Sequence, residues 1–312
     1  MDTIVHLQSF DTRDYHTSFA MDAASYILDS MHDLGLGTEL QEFEVSGFMA
    51  ANVIAVLNPE AASRGVYIVG AHYDSENSAV SNQSEAENIT APGADDNASG
   101  VAVMLEIARI LSESECELCT VKFVAFGAEE SGYDQSGGIK GSAEFVASEA
   151  QAGTRCDGAI IMDMVGYRAA AESRITLVTN EASSHLANSI VEATTESDLD
   201  LAIQVRTDES LTYSDHSPFW SQGLASILII EELNSLTNRP INPYYHTSQD
   251  TADRLSLEQM TVASKAVLAA LLHLTDQGED SYHILAYGVV AATVMGVVII
   301  ALLLLRKRKG ET

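Results

Sequence analysis

The sequence predicts an α/β fold, a three-layer sandwich in which a mixed, mostly parallel central sheet is covered by helices on both faces. Six short apolar runs show almost no polar alternation, as expected of strands that are buried on both faces. Segments with apolar residues at helical spacing lie between these runs, so strands and helices alternate along the chain. A long uncharged run near the C-terminus adds one transmembrane helix to the prediction.

The predicted strands are rich in β-branched and aliphatic residues, which favour sheets. In chain order they are ANVIAVL from Ala51, GVYIVGA from Gly65, TVKFVAFGA from Thr120, GAIIMDM from Gly158, RITLVT from Arg174 and SILIIEE from Ser226. The predicted helices cover residues 14–34, 101–111, 141–151, 183–197 and 256–274. The second of them shows the helical period in the residues of one face, which are Val101, Met104, Leu105, Ala108 and Leu111.

The charge of the chain argues against nucleic acid as a partner. Its 312 residues include 45 acidic and 16 basic side chains, which give a formal net charge of −29. Binding to a phosphate backbone needs a basic face, and this composition does not favour one. Such acidity is typical of a strongly solvated surface.

The C-terminal region has the pattern of a membrane anchor. Residues 284–305 read ILAYGVVAATVMGVVIIALLLL, 22 residues without one charge. At about 1.5 Å per residue, such a helix spans roughly 33 Å, enough for the bilayer core. The basic cluster RKRK follows at once, and such clusters favour the cytoplasmic side. The sequence therefore predicts an α/β domain over 1–274, a polar linker over 275–283, a transmembrane helix over 284–305 and a basic cytoplasmic tail over 306–312.

The predicted orientation places the α/β domain outside the cell, anchored in the cell membrane by a single pass. The first residues, MDTIVHLQSFDTRDY, have neither the basic start nor the apolar run of a signal peptide. We expect the natural chain to extend upstream with a segment that leads the domain across the membrane. A tail-anchored protein with a cytoplasmic domain is the alternative. The glycosylation triplets at Asn82 and Asn88 fit an exterior loop.

The cysteines give no metal motif. Cys116 and Cys119 form one C-x-x-C, without the second pair that a zinc ribbon needs, and Cys156 stands apart. A local disulfide and two small core thiols both fit the pair.

Polar side chains follow three of the predicted strands. His72 and Asp74 come after GVYIVGA, Glu129 and Glu130 after TVKFVAFGA, and Asp163 at the end of GAIIMDM. Ligands of open α/β sheets bind beyond the carboxyl ends of strands, so we expect these side chains to converge. Any one of them alone is more often a solvated or capping residue. Asp163 is the exception, because a carboxylate that ends an apolar strand is costly to bury without a partner.

Two further parts of the sequence add candidate site residues, a turn with two adjacent carboxylates and a histidine near the end of the domain. Asp95 and Asp96 lie in APGADDNASG, directly before a predicted helix that needs at most one cap, and His246 lies in NPYYHTSQDT. Imidazole and carboxylate donors without thiolates suit catalytic zinc. Three carboxylates and two imidazoles are too many for one tetrahedral ion with a water, and they suit two ions that share a carboxylate. One of the paired aspartates is the candidate for that bridge.

The motifs carry a resemblance that is specific when they are taken together. GAHYDS, APGADDNASG, FGAEES, MDMVGY, SDHSPFW and YYHTSQDT occur in this order along the chain. In this order they resemble the zinc aminopeptidase family that includes bacterial leucyl aminopeptidase and aminopeptidase Y. The resemblance implies a zinc peptidase domain over 1–274 that hydrolyses N-terminal residues from peptides.

The resemblance also implies the metal ligands. It assigns His72 and Asp163 to one zinc ion and Glu130 and His246 to the other, with Asp96 shared between the two. No ligand position is substituted in this chain.

Further roles follow from the same resemblance. Glu129 corresponds to the general base, and Asp74 to the carboxylate that orients the imidazole of His72. The segment SDHSPFW, residues 214–220, fits equally well a wall of the substrate pocket and a helix start capped by Ser214 or Asp215.

Two other functions fit the same fold. One is a glutaminyl-cyclase-like acyltransferase with a single zinc ion, and the other is a non-catalytic ectodomain used for binding. The complete set of five ligands argues against both. The sequence leaves open whether the enzyme cleaves at the amino or the carboxyl end of a peptide, which residue it prefers, and the oligomeric state.

Overall fold

Eight strands form one mixed sheet in the computed structural model, which describes residues 1–62, 64–114 and 119–275. The strands in chain order are β1 (Gly37–Val45), β2 (Phe48–Leu57), β3 (Val66–His72), β4 (Thr120–Phe126), β5 (Gly158–Met162), β6 (Arg174–Thr179), β7 (Ala202–Thr207) and β8 (Ser226–Ile230). Their order across the sheet is β1-β2-β4-β3-β5-β8-β6-β7. The central strands β4, β3, β5 and β8 are parallel to one another, while β1, β2 and β6 pair with a neighbour in the antiparallel sense.

Helices cover both faces of the sheet. In chain order they are α1 (Asp2–Gln8), α2 (Ser18–Asp33), α3 (Gln83–Ala86), α4 (Gly100–Ser112), α5 (Lys140–Ala152), α6 (Ser184–Glu196), α7 (Ser217–Ser221) and α8 (Leu257–Thr275). One core contains Val69 and Ala71 of β3 together with apolar residues of α2, α4, α6 and α8. A second core contains Ile68 of the same strand, with Phe145 of α5 and Phe219 of α7. Alternate side chains of β3 therefore pack into two different cores, one on each face of the sheet. This arrangement confirms the predicted α/β class.

The six strands predicted from apolar runs are all present. The two that the sequence did not predict, β1 and β7, lie at the two edges of the sheet. An edge strand is partly solvated, so its sequence is polar: β1 reads GTELQEFEV and β7 reads AIQVRT. Their identity as strands comes from pairing with β2 and β6 rather than from hydrophobic pattern.

The predicted helix over 14–34 begins only at Ser18. The preceding residues form a loop that is buried under the site described below, with Arg13, Asp14 and His16 almost inaccessible to solvent. The hydrogen bond from the Thr17 hydroxyl to the Asp14 carbonyl closes the turn that leads into the helix. Tertiary contacts thus shortened this helix relative to its apolar pattern.

Within the described ranges, no helix has both the length and the apolar character needed to cross a membrane. The predicted transmembrane helix over 284–305 lies outside those ranges. The same holds for Cys116, whereas Cys119 is buried at the start of β4, where burial raises the pKa of its thiol to about 12.

Candidate active site

The strand-end residues predicted from the sequence meet at the carboxyl edge of the sheet centre. His72 is the last residue of β3, Asp163 follows β5, and Glu129 and Glu130 follow β4 by a few residues. These three strands are adjacent and parallel, so their carboxyl ends lie side by side.

Asp96 reaches this edge from the segment 94–99, which leads directly into α4. Gly93 begins the segment with a left-handed φ of 49°, and a Cβ atom there would collide with the Asp96 carbonyl oxygen and the Ser75 side chain. The carboxylate of Asp250 accepts the backbone N–H groups of Asp95 and Asp96 at about 3.0 Å. The small residues of the motif therefore permit a tight segment that Asp250 then holds in place.

The two carboxylate oxygens of Asp96 face two different imidazoles. Asp96 Oδ1 lies 3.2 Å from His72 Nε2, and Asp96 Oδ2 lies 3.1 Å from His246 Nε2. His72 Nε2 is also 3.4 Å from Asp163 Oδ1, and His246 Nε2 is 3.1 Å from Glu130 Oε2. The structure thus brings all five predicted ligands together in two groups that share Asp96.

The nitrogen and oxygen atoms of this cluster are arranged as metal ligands rather than as hydrogen-bond partners of one another. Asp96 Oδ2, Glu130 Oε1 and His246 Nε2 are buried, and none has a hydrogen-bond partner among the described residues, although His246 Nε2 is 3.1 Å from two carboxylate oxygens. The ligand atoms of His72, Asp96 and Asp163 lie within 4.8 Å of one another, close enough to hold one ion. Nitrogen and oxygen donors of this kind suit zinc.

Each imidazole has a carboxylate behind it. His72 Nδ1 lies 3.5 Å from Asp74 Oδ1, and His246 Nδ1 lies 3.3 Å from Glu76 Oε1. Such a partner fixes the orientation of the ring and directs Nε2 toward the cluster of carboxylates. The sequence predicted this role for Asp74 and missed Glu76, which lies two residues further along the same loop.

Asp74 also positions the two glutamates. Its Oδ1 accepts the backbone N–H of Glu129 at 3.1 Å, and its Oδ2 accepts that of Glu130 at 3.0 Å. One buried carboxylate therefore ties the loop after β4 to the loop after β3.

The buried carboxyl groups of the cluster shift one another's pKa values. Burial raises the pKa of Glu129 well above its usual value, opposed by the positive field of His72 and reinforced by the neighbouring Glu130 carboxylate. Burial also raises the pKa of Glu130 to about 8, although His246 acts in the opposite direction. Burial works against ionisation of Asp96 too, but His246 and His72 lower its pKa below the ordinary range. So many adjacent acids can all ionise only beside added positive charge, which bound metal ions supply.

Asp95 has a different role from its neighbour. Its Oδ1 accepts the backbone N–H groups of Gly166 and Tyr167 at 2.8 and 3.0 Å, and its Oδ2 accepts the amide of Asn242 at 2.7 Å. Both oxygens are therefore used to fix the loops after β5 and β8. The geometry favours Asp96, not Asp95, as the shared carboxylate.

Two further residues near the site were missed by the sequence analysis. Asp250 lies in the quoted motif YYHTSQDT, so a capping role for a second carboxylate was a signal that could have found it. Arg13, fully buried, donates to the carbonyl oxygens of Tyr73, Pro92 and Gly93 at 2.6, 2.6 and 2.9 Å. Nothing in its local sequence distinguishes it from a surface arginine.

The segment SDHSPFW follows neither of the two predicted alternatives. Helix α7 begins at Ser217 without a side-chain cap. The Asp215 carboxylate instead accepts the hydroxyl of Ser142, and burial raises its pKa to about 7. From this part of the chain, the cavity in front of the site takes Leu211 and Tyr213 rather than residues 214–220.

A cavity of about 380 Å³ opens in front of the cluster. Four acidic site residues line it, together with apolar, aromatic and polar residues and one arginine. The acidic residues are Asp96, Glu129, Glu130 and Asp163, and the others include Met164, Leu211, Tyr213, Ile230, Asn238, Arg239 and Tyr245. This combination of a ligand-sized cavity, clustered metal donors and an uncommitted glutamate is that of a metal-dependent hydrolase.

The chain belongs to peptidase family M28, whose model matches residues 52–271. A probable aminopeptidase, YDR415C of Saccharomyces cerevisiae, is 25% identical over 85% of this chain and 70% of its own length. Aminopeptidase YwaD of Bacillus subtilis is 31% identical over 70% of this chain and 44% of its own length. The family and these relatives confirm the predicted enzyme class, a metallopeptidase of the aminopeptidase type.

Solved structures share the fold. The zinc aminopeptidase BSAP from Bacillus subtilis superposes with a TM-score of 0.73 and 19% identity over 89% of this chain and 95% of that chain. The glutaminyl cyclase of Porphyromonas gingivalis superposes with a TM-score of 0.70 and 22% identity over 89% of this chain and 96% of that chain. At these identities the likeness describes the fold, and the site must decide between the two activities.

Proposed function

We propose that this protein is a zinc-dependent aminopeptidase that removes N-terminal residues from peptides by means of two zinc ions that share Asp96. The observation that carries the proposal is the arrangement of Asp96, whose two oxygens face His72 and His246 separately. A single-zinc site would need only one such group.

The distances among the proposed ligands indicate which of them would bind each ion. His72 and Asp163 would hold one ion, and His246 and Glu130 the other, with one oxygen of Asp96 for each. When bound, the two ions would lower the pKa of a shared water and polarise the scissile carbonyl.

Glu129 is the residue that moves the proton. It lines the cavity and lies outside the two groups that share Asp96, although its carboxylate is within 4.8 Å of donor atoms of His72 and Glu130. Its carboxylate accepts a proton from the water that adds to the carbonyl carbon. It then gives that proton to the amine nitrogen as the C–N bond breaks.

The cleavage of N-terminal rather than C-terminal residues rests on the relatives that are named as aminopeptidases. The small cavity also suits an exopeptidase, since it has room for a short segment rather than for an extended chain on both sides of the scissile bond.

A glutaminyl-cyclase-like activity is the second candidate, and the likeness to the Porphyromonas gingivalis enzyme is the observation that favours it. The contacts of His72 and His246, each with Asp96 and with a second carboxylate, favour the two-metal peptidase instead.

The test is hydrolysis of aminoacyl amides by the full chain in detergent, with N-acetylated versions of the same amides as matched controls. We expect free-amine substrates to be cleaved, acetylated ones to resist, a chelator to abolish activity, and about two zinc ions to be bound per chain. Cleavage of C-terminal residues from acetylated peptides would contradict the aminopeptidase assignment. Cyclisation of N-terminal glutamine with one zinc ion per chain would favour the second candidate.

For localisation, we propose that the peptidase domain is anchored in the cell membrane by residues 284–305 and faces the exterior. The uncharged run followed by RKRK supports this placement. Protease added to intact cells should then digest the domain and spare a tag at Thr312. A protected domain with a cleaved tag would instead indicate a cytoplasmic enzyme.

A further inference from the structure

The cavity in front of the metal site contains a basic residue that the proposed chemistry does not use. Of the lining residues in the described part of the chain, only Arg239 is basic. Four carboxylates belong to the same lining. The cavity therefore combines candidate metal ligands with one positively charged side chain.

The charge of Arg239 is not compensated by the protein. Among residues 1–62, 64–114 and 119–275, no carboxylate forms an ion pair with it. Other arginines differ in this respect: Arg168 is 2.6 Å from Glu258, and Arg174 is 3.4 Å from Glu232. In a chain with a net charge of −29, a cation that lines a cavity without an acidic partner has its charge available for a ligand.

The backbone that carries Arg239 is held in a tight loop. Leu233 and Pro240 form an antiparallel bridge, and the backbone N–H of Asn234 donates to the Arg239 carbonyl at 2.9 Å. The side chain of Asn234 accepts the N–H groups of Leu236 and Thr237 at 2.9 and 3.1 Å. The loop thus fixes the position of the arginine, while its exposed side chain is free to meet a ligand.

The apolar residues of the cavity suit a short peptide. Met164, Leu211 and Ile230 provide apolar lining in a cavity of about 380 Å³, which is small for a ligand site. A short peptide or an acidic amino-acid residue has an amine and a carboxylate separated by a few bonds, and the cavity has complementary groups for both. Arginine is suited to the second group, because its planar fork matches a carboxylate in two hydrogen bonds.

We propose that Arg239 is a specificity-determining residue that binds a carboxylate of the substrate. This inference rests on the proposed peptidase function and names the substrate class: peptides with a carboxylate close to the scissile bond. That carboxylate has two sources, the free C-terminus of a dipeptide and the side chain of an acidic N-terminal residue. Arg239 lies outside the ligand groups, so it acts on substrate selection and not on the reacting atoms.

The test compares the zinc-loaded full chain with Arg239→Gln on two matched pairs of substrates. Leu-Leu against Leu-Leu amide examines the C-terminal carboxylate, and glutamyl anilide against glutaminyl anilide examines the acidic side chain. Loss of a hydrogen bond to a charged group lowers kcat/KM by roughly 10- to 150-fold. We expect this loss for the carboxylate-bearing member of at least one pair, with partial rescue in Arg239→Lys. The pair that responds identifies the source.

Arg168→Gln is the matched control, since Arg168 is paired with Glu258 and does not line the cavity. It should leave both ratios unchanged. Equal loss on both members of each pair in Arg239→Gln, or no loss on either, would overturn the assignment.

A binding measurement separates this inference from the proposed function. In the Glu129→Gln background, calorimetry with both matched pairs reports affinity without turnover. In at least one pair the carboxylate-bearing member should give the tighter complex, and Arg239→Gln should remove that difference. Loss of the difference would support Arg239 even if the hydrolytic assay failed, and an unchanged difference in both pairs would refute it.

Discussion

Two buried polar clusters lie next to each other in this protein and satisfy their charges in opposite ways. Arg13 is fully buried, and its guanidinium donates to four backbone carbonyl oxygens, those of Leu7, Tyr73, Pro92 and Gly93. Burial lowers its pKa to about 10, although the Asp250 carboxylate acts in the opposite direction, so it stays charged at neutral pH. The protein itself supplies the acceptors that this cation needs.

The cluster around Asp96 does the reverse. Its imidazoles and carboxylates lie 3.1 to 3.4 Å apart, yet several of their buried atoms have no hydrogen-bond partner in the described chain. Buried polar atoms without partners are costly, and a fold retains them where a ligand completes the network. The comparison teaches that Arg13 is a structural charge, because its hydrogen bonds are complete, whereas the cluster around Asp96 combines unpartnered buried atoms with converging nitrogen and oxygen ligands.

The largest expected effect is the loss of turnover when Glu129, the proposed base beside the Asp96 cluster, is replaced. Glu129→Gln should lower kcat by roughly 10²- to 10⁴-fold, because the variant cannot accept the proton of water. Bound zinc should stay at the wild-type level, since Glu129 is not among the proposed ligands. Elemental analysis alongside kinetics checks this. Parallel loss of zinc and activity would mean that Glu129 and Glu130 have exchanged roles.

The adjacent residues Asp95 and Asp96 should differ in their effect on zinc binding. Asp96→Asn should weaken zinc binding at both positions, by more than the roughly 10- to 100-fold that loss of an outer partner costs. Asp95→Asn should retain zinc, because Asp95 contacts Gly166, Tyr167 and Asn242 rather than the imidazoles. Zinc titration of both variants decides the matter. Normal zinc content in Asp96→Asn would disprove the shared role.

Substitution of Arg13, whose hydrogen bonds are complete, should change the stability of the fold. Arg13→Met removes the guanidinium donor from the buried carbonyl oxygens of Tyr73 and Pro92, and at about 1–3 kcal/mol for each group it should lower the free energy of unfolding by roughly 2–6 kcal/mol. Arg168→Met, at an exposed ion pair, should cost less than about 1 kcal/mol. Urea unfolding of the full chain in detergent measures both. A similar small loss in the two variants would contradict the view that Arg13 holds the loop beneath the site.

A smaller effect is expected in the pH dependence. Burial lowers the pKa of His216 to about 4, opposed by its hydrogen bond to the Leu211 carbonyl. The folded chain therefore keeps this imidazole neutral, while the unfolded chain binds a proton near pH 6.5. The stability that His216 contributes is present above pH 6.5 and is lost between pH 6.5 and 4, by up to about 3 kcal/mol.

The measurement compares wild type with His216→Gln, whose amide can still donate to the Leu211 carbonyl. The wild type should lose more free energy of unfolding than the variant between pH 7 and 4. Parallel curves for the two proteins would show that His216 titrates normally in the folded chain.

The sequence by itself determined the elements whose local pattern reflects burial. The strands of the sheet centre are apolar runs because both of their faces are covered, and their polar ends indicated His72, Glu129, Glu130 and Asp163. The resemblance in six ordered motifs added the choice of Asp96 over Asp95, which the contacts of the two residues favour. Edge strands β1 and β7 lack a burial pattern and were therefore missed.

Only the tertiary structure decided which distant groups meet. Asp250 accepts the N–H of Asp96 across 154 residues, and Arg13 donates to Gly93 across 80 residues. Glu76 and Arg239 likewise gain their positions from loops whose sequences are ordinary for solvent-exposed turns. Periodicity encodes which side of an element is buried, but hydrogen bonds and charge pairs depend on the three-dimensional path of the chain. The supporting residues of the site could therefore be identified only once the fold had brought them together.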